Sequence, residues 1–554
     1  MSDSENKKAL VHPNGGDLLV ALMEALDVDT AFGVVSVHNM PLVDAVSREL
    51  RFVPVRHEAA AVNAADAYSR VSGKVGIALT STGTGAGNAA GSMIEALAAG
   101  ARVLHLTGQI ETPHLGLGKG FIHETKDQAG MLEAVSKAAF SVTSTDDAAD
   151  VLRLAVEAIL SVPSGPASVE WPIDLQYAVH EIKPFELNGL PTPAAAADDL
   201  DRAAALIASA ERPLLWLGGG AVGCRTEIEQ LVDITRAGVL TSNSGRGVLD
   251  EGDGSCIGNF TTSPAVRSLL AEADLLVSVG THFRSNETGD YDLVLPDQIV
   301  QIDVDAAAIG RTYPAAVGVV GDARDVVEAL CDRLPDRTGT DATWTTQVSA
   351  ARRLAREGLS DGIGWQASIC DAVRTAFPRR SVIARDVTIP SSTWGNRLLA
   401  MNDSSVNVFP HGGGIGQGLA MGIGAAVARP DVPTLALIGD GGLAVHLGEV
   451  ATLAQEQPWL VVLLYNDGGY GVLRNTQDVF VGERSGVDLA TPDFSLLARA
   501  YGIHHVRVGS LDDIEEALAG AIGVRGPAIV EVDVDAFGPM PRPFTPPVKI
   551  PGAV

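Results

Sequence analysis

The sequence predicts an α/β protein built from three doubly wound parallel-sheet domains. Short, continuously apolar runs alternate with helix-like runs along the chain, which is the pattern of strands buried on both faces of a parallel sheet. At roughly 150 residues per domain, 554 residues leave room for three or four domains. Apolar residues make up 46% and charged residues 19%, which is enough to fill several cores and excludes a largely disordered chain.

The first predicted domain covers residues 1–185. Its clearest strands lie at 75–81 and 102–108, and they bracket a helix of small residues at 89–99. The proline-containing stretch after this block has no hydrophobic periodicity, so we expect a linker near 185–195.

The second and third predicted domains cover residues 196–335 and 360–540, and the polar stretch 334–347 is the expected linker between them. Each of these domains repeats the alternation of apolar strands and helices. The expected strands lie within 212–220, 273–280, 298–305, 433–442, 460–469 and 527–535.

Charge and cysteine content restrict the partners and the compartment. With 40 Lys and Arg against 68 Asp and Glu, the formal net charge is −28, so the chain has no basic surface suited to nucleic acid. The four cysteines include no CxxC pair, which indicates a reduced compartment and argues against a disulfide framework. The N-terminus carries no signal-like apolar run, and no stretch reaches 18 apolar residues. We therefore expect a cytoplasmic protein without membrane contact.

Two strand ends in the third domain carry the residues of a candidate metal and diphosphate site. One apolar strand runs into Asp440, Gly441 and Gly442, and the next ends at Asn-Asp-Gly-Gly, residues 466–469. Because the carboxyl ends of parallel strands meet at one edge of a sheet, Asp440 and Asp467 can converge on one hard cation such as Mg²⁺. Glycines there let backbone N–H groups approach phosphate oxygens. Taken singly, each motif is better explained as an ordinary turn with a solvated carboxylate.

Together, the two motifs resemble the signature of thiamine-diphosphate-dependent enzymes. The resemblance spans nearly the whole chain and is closest to the acetolactate synthase and benzoylformate decarboxylase branch of 2-oxo acid enzymes. It implies a pyrimidine-binding, a central and a diphosphate-binding domain, and a homodimer or homotetramer with the cofactor between two subunits. The other matching segments are Arg56-His57-Glu58, STGTGAGN at 81–88, TGQ at 107–109 and HGGGIGQGLAMGIGAA at 411–426.

The resemblance also implies which residues hold the metal and the diphosphate. Mg²⁺ would be bound by Asp440, by Asp467 and by the backbone carbonyl of Gly469. Asp467 departs from the asparagine that is common at this position, and its carboxylate remains a suitable ligand for a hard cation. Gly441 and Gly442 would donate backbone hydrogen bonds to the diphosphate.

On the pyrimidine side, the resemblance assigns roles to Glu58, Gly413 and Ile415. Glu58 would hydrogen-bond the aminopyrimidine ring and promote the imino tautomer that takes the proton from the thiazolium C2. Ile415 would wedge between the two rings of the cofactor, and the Gly413 carbonyl would accept a hydrogen bond from the exocyclic amine. From the residues alone, Glu58 is better explained as a helix N-terminal carboxylate favoured by the dipole, and Ile415 can be explained as a core residue at a glycine-rich helix entry.

Substrate-side residues complete the predicted site. His38, His123 and Gln109 match positions from which relatives contact the substrate or the intermediate, although a single histidine often has only a structural role. Ser81 stands where benzoylformate decarboxylase has a catalytic histidine, and this departure leans toward carboligation or C–C lyase chemistry. The predicted substrate pocket is lined by Val37, Ser81, Val472 and Thr476.

The sequence therefore predicts a thiamine-diphosphate- and Mg²⁺-dependent enzyme. It would decarboxylate a 2-oxo acid, ligate the resulting enamine to a carbonyl acceptor as acetolactate synthase does, or do both. The alternatives are a benzoylformate-decarboxylase-like simple decarboxylase or C–C lyase, and a catalytically silent subunit of the same fold. A silent subunit predicts loss of Glu58, Asp440 or the glycine-rich wedge, and all three are present. FAD, a cofactor of acetolactate synthases, stays open but is disfavoured, because His282 replaces an arginine of the usual pattern.

Overall fold

A computed structural model describes residues 12–187, 190–336 and 338–546. Its strands form three six-stranded sheets, and every pairing between the described strands is parallel. The predicted α/β fold with three parallel sheets is confirmed. Residues 1–11, on which the expectation of no signal-like run partly rests, lie outside the described residues.

The first sheet belongs to the N-terminal third of the chain. Its strands are β1 Thr30–Gly33, β2 Arg51–Pro54, β3 Gly76–Thr80, β4 Val103–Gln109, β5 Ala138–Ser141 and β6 Ala167–Pro172. Its helices are α1 Gly15–Ala25, α2 Met40–Glu49, α3 Glu58–Ser72, α4 Thr84–Ala99, α5 Gln128–Val135, α6 Ala148–Leu160 and α7 Ile173–Tyr177. The strand order is β2-β1-β3-β4-β6-β5, and β3, β4 and β6 are buried along their whole length.

The second sheet has the order β12-β11-β10-β7-β8-β9. In chain order its strands are β7 Pro213–Leu217, β8 Gly238–Thr241, β9 Cys256–Gly258, β10 Leu275–Val279, β11 Ile299–Asp303 and β12 Val317–Val320. Its helices are α8 Ala197–Ser209, α9 Arg225–Thr235, α10 Pro264–Glu272, α11 Ser285–Thr288 and α12 Ala323–Cys331.

The third sheet has the order β14-β13-β15-β16-β18-β17. Its strands are β13 Val382–Arg385, β14 Asn407–Val408, β15 Thr434–Gly439, β16 Leu460–Asn466, β17 His504–Val508 and β18 Ala528–Asp533. The helices of this part of the chain are α13 Trp344–Ile363, α14 Trp365–Ala376, α15 Gly418–Ala428, α16 Asp440–Val445, α17 Glu449–Glu456, α18 Gly471–Phe480, α19 Phe494–Tyr501, α20 Ile514–Gly523 and α21 Val534–Phe537. Short 3₁₀ or π-helical turns lie at Thr112–His114, Gly219–Ala221, Ala306–Ala308, Ser391–Gly395, Ser404–Val406 and Leu511–Asp513.

By contacts, the chain divides into two compact units. The first unit contains the first sheet together with residues 411–424 and 448–456, and the second unit contains the other two sheets. The division therefore does not follow chain order. The predicted domain ranges 1–185, 196–335 and 360–540 each contain one sheet, and their boundaries stay predictions.

The helix α13 differs from the sequence-based expectation. It begins at Trp344, inside the stretch 334–347 that we expected to be a linker. Trp344 is fully buried and its indole N–H donates to the carbonyl of Pro213 at 2.9 Å, while Val348 and Ala351 continue the buried face. These three residues follow the i, i+4, i+7 spacing of a helix face, so the expectation of a linker over 344–347 is wrong.

None of the described helices has the length and apolarity that crossing a bilayer requires. The four cysteines are buried and form no disulfide, and burial raises the pKa of the Cys224 and Cys331 thiols to about 11. These thiols are therefore neutral and poorly reactive near pH 7.

A buried ion pair stabilises the second unit. Arg246 is inaccessible to solvent, and its guanidinium donates to both carboxylate oxygens of Glu251 at 2.7 and 2.6 Å and to the Gly395 carbonyl at 2.6 Å. Glu251 also accepts a hydrogen bond from the Met401 backbone at 2.8 Å. The pair therefore ties the loop after β8 to the segment that follows β13.

We expect Arg246→Ala to destabilise the protein by about 3–5 kcal/mol, because it leaves the Glu251 carboxylate buried without its cation. Denaturant unfolding followed by tryptophan fluorescence measures this loss. Replacing both residues by leucine removes the unpaired charge, so the double variant should be more stable than Arg246→Ala. A single-variant loss below about 1 kcal/mol, as for an exposed ion pair, would contradict this account.

Candidate active site

In the first unit, the predicted site residues lie at the carboxyl edge of the first sheet. His38 follows β1, Glu58 follows β2, Ser81 follows β3, and Gln109 ends β4. Because all of these strands run parallel, their following loops lie at one edge, where ligands bind in open α/β sheets. The fold thus places these four predicted residues at the carboxyl edge of one sheet.

Glu58 is the first residue of α3, behind the N-cap His57, whose Nδ1 accepts the Ala59 N–H at 3.2 Å. The Oε2 atom of Glu58 accepts a hydrogen bond from the Asn88 side chain at 3.0 Å. A Cβ atom on Gly85 would lie 2.9 Å from the Oε1 atom of Glu58, so a larger residue at position 85 would displace that oxygen. The first turns of α4 therefore orient this carboxylate.

His38 and His123 form a pair. Their ring centroids are 5.2 Å apart in an edge-to-face arrangement. His38 is 4% exposed, and its Nδ1 has no hydrogen-bond partner among the described residues. Burial, assisted by the neighbouring His123, lowers the pKa of His38. His123 has a φ of +68°, a backbone conformation that costs energy for a side-chain-bearing residue and is often found at functional sites. The pair can therefore hold a proton at the substrate side.

Gln109 is buried and engaged within the protein. Its side-chain N–H₂ donates to Glu170 at 2.9 Å, and its oxygen accepts the backbone N–H of Ile110 at 2.8 Å. The same Glu170 oxygen accepts from Gln128 at 3.0 Å. This geometry gives Gln109 a role in fixing the loop after β4, and its predicted contact with the intermediate stays a prediction. The sequence did not reveal Glu170 and Gln128, because neither lies in a recognisable motif.

The loop after β14 carries Gly413 and the predicted wedge residue Ile415. Gly413 has a φ of +87°, and no heavy atom lies within 4 Å of the place where its Cβ would be. Ile415 is 37% exposed. Its side chain is therefore only partly buried, which disfavours the interpretation of Ile415 as a core residue.

In the second unit, the three predicted metal ligands lie together. Asp440 begins α16 directly after β15, and Asp467 follows β16, its neighbour in the sheet. The backbone N–H of Asp467 lies 3.4 Å from Oδ1 of Asp440. A Cβ on Gly441 would stand 2.6 Å from the carbonyl oxygen of Gly469, so glycine at 441 lets that carbonyl approach Asp440.

This arrangement fits a divalent cation. Asp440 is 1% exposed, and neither its Oδ2 nor Oδ1 of Asp467 has a hydrogen bond among the described residues. Arg474 lies 3.6 Å from the latter oxygen. Burial raises the pKa of Asp440, and burial with the charge of Asp440 raises the pKa of Asp467 to about 7. Two neighbouring carboxylates that repel each other, the buried Asp440 and the half-buried Asp467, are the environment that a hard cation stabilises.

No group of three or more His, Cys, Asp or Glu side chains suited to a metal occurs in the part of the chain that the structure describes. A cation here would thus have two carboxylates and the Gly469 carbonyl as protein ligands, leaving positions for phosphate oxygens.

The end of β13 contributes two residues that the sequence analysis missed. Asp386 is buried, and its carboxylate lies 3.0 Å from where a Cβ on Gly442 would stand. The Thr388 hydroxyl lies 3.1 Å from the corresponding position on Gly439. Because β13 is the other sheet neighbour of β15, Asp386 borders Gly442, which is predicted to bind diphosphate, and Thr388 borders Gly439, the residue before Asp440. The polar residues directly after this apolar strand were the available signal.

The predicted pocket residues are divided between the two units. Val37 is 61% exposed and Ser81 is buried in the first unit. Val472 and Thr476 lie one turn apart on α18 in the second unit, and the Thr476 hydroxyl donates to the Val472 carbonyl at 2.8 Å. The Thr476 hydroxyl is thus used within its own helix.

Known proteins match the chain over most of its length. Models of the N-terminal binding domain, central domain and C-terminal binding domain of thiamine pyrophosphate enzymes match residues 13–131, 200–330 and 390–532. A probable 2-ketoarginine decarboxylase of Pseudomonas aeruginosa is 31% identical over 522 residues, which is 93% of either chain. A probable acetolactate synthase large subunit of Methanocaldococcus jannaschii is 28% identical over 553 residues, covering 95% of this chain and 93% of the relative. The acetolactate synthase isozyme 2 large subunit of Escherichia coli is 27% identical over 535 residues, covering 94% and 96%.

The raised pKa values of Asp440 and Asp467 predict how pH affects the metal-free protein. Between about pH 4 and 7 the folded chain holds protons that the unfolded chain releases, so stability falls as the pH rises through this window. We expect the metal-free melting temperature to drop between pH 5 and pH 8 by more in the wild type than in Asp467→Asn. The difference should be at least about 1 °C, because 1 kcal/mol shifts the melting temperature of a 554-residue chain by roughly 1 °C at about 2.1 cal/mol/K of unfolding entropy per residue.

Calorimetry in the presence of a chelator measures both melting curves, and Mg²⁺ should remove most of the difference at pH 8. Equal pH dependence in wild type and variant would contradict the coupling of these two carboxylates.

Proposed function

Because the chain belongs to the thiamine pyrophosphate enzyme family, we propose that it uses thiamine diphosphate and Mg²⁺ to decarboxylate a 2-oxo acid. The acyl unit that remains would be released as an aldehyde or ligated to a carbonyl acceptor. The family, the fold and the class of thiamine-diphosphate-dependent decarboxylase or carboligase agree with the sequence-based prediction. The metal, the acceptor and the subunit arrangement are the parts that we propose.

The buried pair of carboxylates at the ends of β15 and β16 carries this proposal. Asp440, Asp467 and the Gly469 carbonyl would hold Mg²⁺, and Gly441 and Gly442 would approach the diphosphate. When bound, thiamine diphosphate supplies the electron sink that accepts the electron pair left behind when CO₂ departs. The protein's part is to bind and orient this cofactor and to move protons around it.

Glu58 would exchange a proton with the pyrimidine ring. Its Oε2 atom is held by Asn88 at 3.0 Å, which leaves Oε1 facing the space that Gly85 keeps open. A carboxyl group in hydrogen-bond reach of a ring nitrogen is a suitable general acid and base.

His38 and His123 would move a proton at the substrate. Either product would require this step, since release of an aldehyde would need a proton at carbon and ligation would need a proton at the acceptor oxygen. The lowered pKa of His38 keeps this ring neutral near pH 7, so it can accept a proton, and the pair can return it.

A homodimer is the proposed minimum assembly. The outward face of α4 carries Gly87 and Gly91, whose Cβ positions meet no heavy atom within 4 Å, followed by Ile94 and Leu97, which are 52% and 37% exposed. Nothing within the described chain explains this flat apolar face, and a second copy would cover it. A tetramer would add a further interface.

The substrate class is a 2-oxo acid. The relatives named above include a probable decarboxylase of 2-ketoarginine and acetolactate synthases, so cationic and small apolar side chains are the two to compare. The matching domain models name only thiamine pyrophosphate, and FAD forms no part of the proposal.

The direct test is CO₂ release by the purified chain with thiamine diphosphate and Mg²⁺. Pyruvate, benzoylformate and 2-ketoarginine are offered separately, and NMR identifies the products. We expect turnover of at least one of them, and Glu58→Gln should lower kcat by about 10²- to 10⁴-fold by removing a general acid and base. Acetolactate or acetoin from pyruvate would establish carboligation, and aldehyde alone would establish simple decarboxylation. Turnover that is independent of added cofactor would contradict the proposal.

A second prediction concerns the histidine pair. His123→Gln removes a neighbour that lowers the pKa of His38, so this pKa should rise toward 6.5 and the acidic limb of the pH–rate profile should move to higher pH. We expect kcat to fall by about 10- to 100-fold. The matched change His504→Gln, at an exposed histidine of β17, separates the pair from a general effect. An unchanged acidic limb would show that His38 does not titrate in the rate-determining step.

A further inference from the structure

Glu95 lies in the middle of α4 and is 4% exposed. Its carboxylate accepts backbone hydrogen bonds from the loop that follows β14. One oxygen accepts the N–H of Gly412, and the other accepts the N–H of Gly414 at 2.6 Å. The loop closely surrounds this carboxylate, because a Cβ on either glycine would stand only 2.8 Å from a Glu95 oxygen.

The geometry of the peptide bond gives these contacts a consequence for the residue between them. In a trans peptide the N–H of Gly414 and the C=O of Gly413 lie in one plane and point in opposite directions. When Glu95 holds the Gly414 N–H, the Gly413 carbonyl must point away from Glu95. Gly413 has a φ of +87°, which turns the peptide between Gly413 and Gly414 relative to the peptide before it. Glu95 does not contact the N–H of that preceding peptide. Glu95 therefore fixes the direction of the carbonyl at residue 413.

We propose that Glu95 is a positioning residue that aims the Gly413 carbonyl at the exocyclic amine of thiamine diphosphate and presents Ile415 as the wedge. The inference rests on the proposed function for its ligand. Its evidence is independent of the metal site, since Glu95 and the loop both belong to the first unit.

Two neighbouring contacts support a fixed loop. The start of the loop is held by Arg70, whose guanidinium lies 2.9 Å from Nδ1 of His411 and which pairs with the buried Asp66. Asn88, which holds Glu58, lies two turns before Glu95 on α4. Helix α4 thus contacts both the Glu58 carboxylate and the loop that carries Gly413.

The chemistry of the two contacts requires a carboxylate. Two N–H donors converge on one side chain, and a carboxylate offers an acceptor oxygen to each. In Glu95→Gln one of the two positions becomes an N–H₂ group that faces an N–H donor. The loop would lose one charge-assisted hydrogen bond, and Gly413 would no longer be held in one direction.

The experiment compares Glu95→Gln with wild type in the full chain. Calorimetric titration with thiamine diphosphate in saturating Mg²⁺ gives Kd, and quenched NMR measures hydrogen–deuterium exchange at C2 of the bound cofactor. We expect Kd to rise by about 10- to 100-fold, the effect of losing a hydrogen bond to a charged group. At saturating cofactor, C2 exchange should slow by about 10-fold or more, because a misdirected carbonyl favours the imino tautomer less.

A matched control is Asp147→Asn. Asp147 accepts backbone N–H groups of Thr143 and Ser144 at 3.2 Å in the loop before α6, so the same acid-to-amide change is made away from the predicted site. It should leave Kd and C2 exchange at wild-type values. Should Glu95→Gln fold poorly, Glu95→Asp keeps both oxygens, shortens the side chain and should give intermediate values of Kd and exchange.

The outcomes separate the two proposals. If the wild-type chain binds no thiamine diphosphate, the proposed function fails, and with it the ligand of this inference. If the wild type binds and Glu95→Gln matches it in both Kd and C2 exchange, the positioning role is wrong while the proposed function stands. A higher Kd with unchanged C2 exchange at saturation would also overturn it, because Glu95 would then only stabilise the loop.

Discussion

The proposed active site depends on the carboxylates of Asp440 and Asp467, which the fold holds close together and largely away from solvent. Asp440 and Asp467 follow adjacent parallel strands, so the hydrogen-bond register of β15 and β16 fixes their separation. Their repulsion and desolvation can be relieved by protons or by a cation. At neutral pH the cation is the better solution, because it also neutralises the phosphate oxygens that complete its shell. The glycines around the pair, and the packing of Gly441 against the Gly469 carbonyl, then have a common explanation.

The same constraint organises the first unit. There, four parallel strands deliver His38, Glu58, Ser81 and Gln109 to one sheet edge. Three further side chains then fix the geometry. Asn88 holds Glu58, Glu170 holds Gln109, and Glu95 holds the Gly413 loop. The residues proposed to touch the cofactor are thus each held by a partner that does not touch it. Such support is what a preorganised site needs, since a loosely held acid or carbonyl loses much of its effect.

Much of the fold was predictable from the sequence. The apolar strands were recognisable because parallel strands are buried on both faces, and each expected strand is present within a few residues of its predicted position. Helix α13 was missed because its first residues lie in the polar stretch 334–347 that we interpreted as a linker, although Trp344, Val348 and Ala351 follow the i, i+4, i+7 spacing of a helix face. At the site, residues in motifs were found, whereas Glu95, Asp386 and Glu170 were not. Their roles arise from tertiary contacts between segments distant in sequence, which no local pattern encodes. The predicted substrate pocket stays a prediction, because it draws on residues from both units.

We propose that the carboxylates of Asp440 and Asp467 bind the cation through which the chain holds thiamine diphosphate. The most direct test of this proposal is calorimetric titration of the wild-type chain with thiamine diphosphate, once in Mg²⁺ and once in a chelator. The account predicts binding that is at least about 100-fold tighter with Mg²⁺, since without it the diphosphate would face uncompensated carboxylates. Equal affinity in both conditions, or no binding in either, would contradict it.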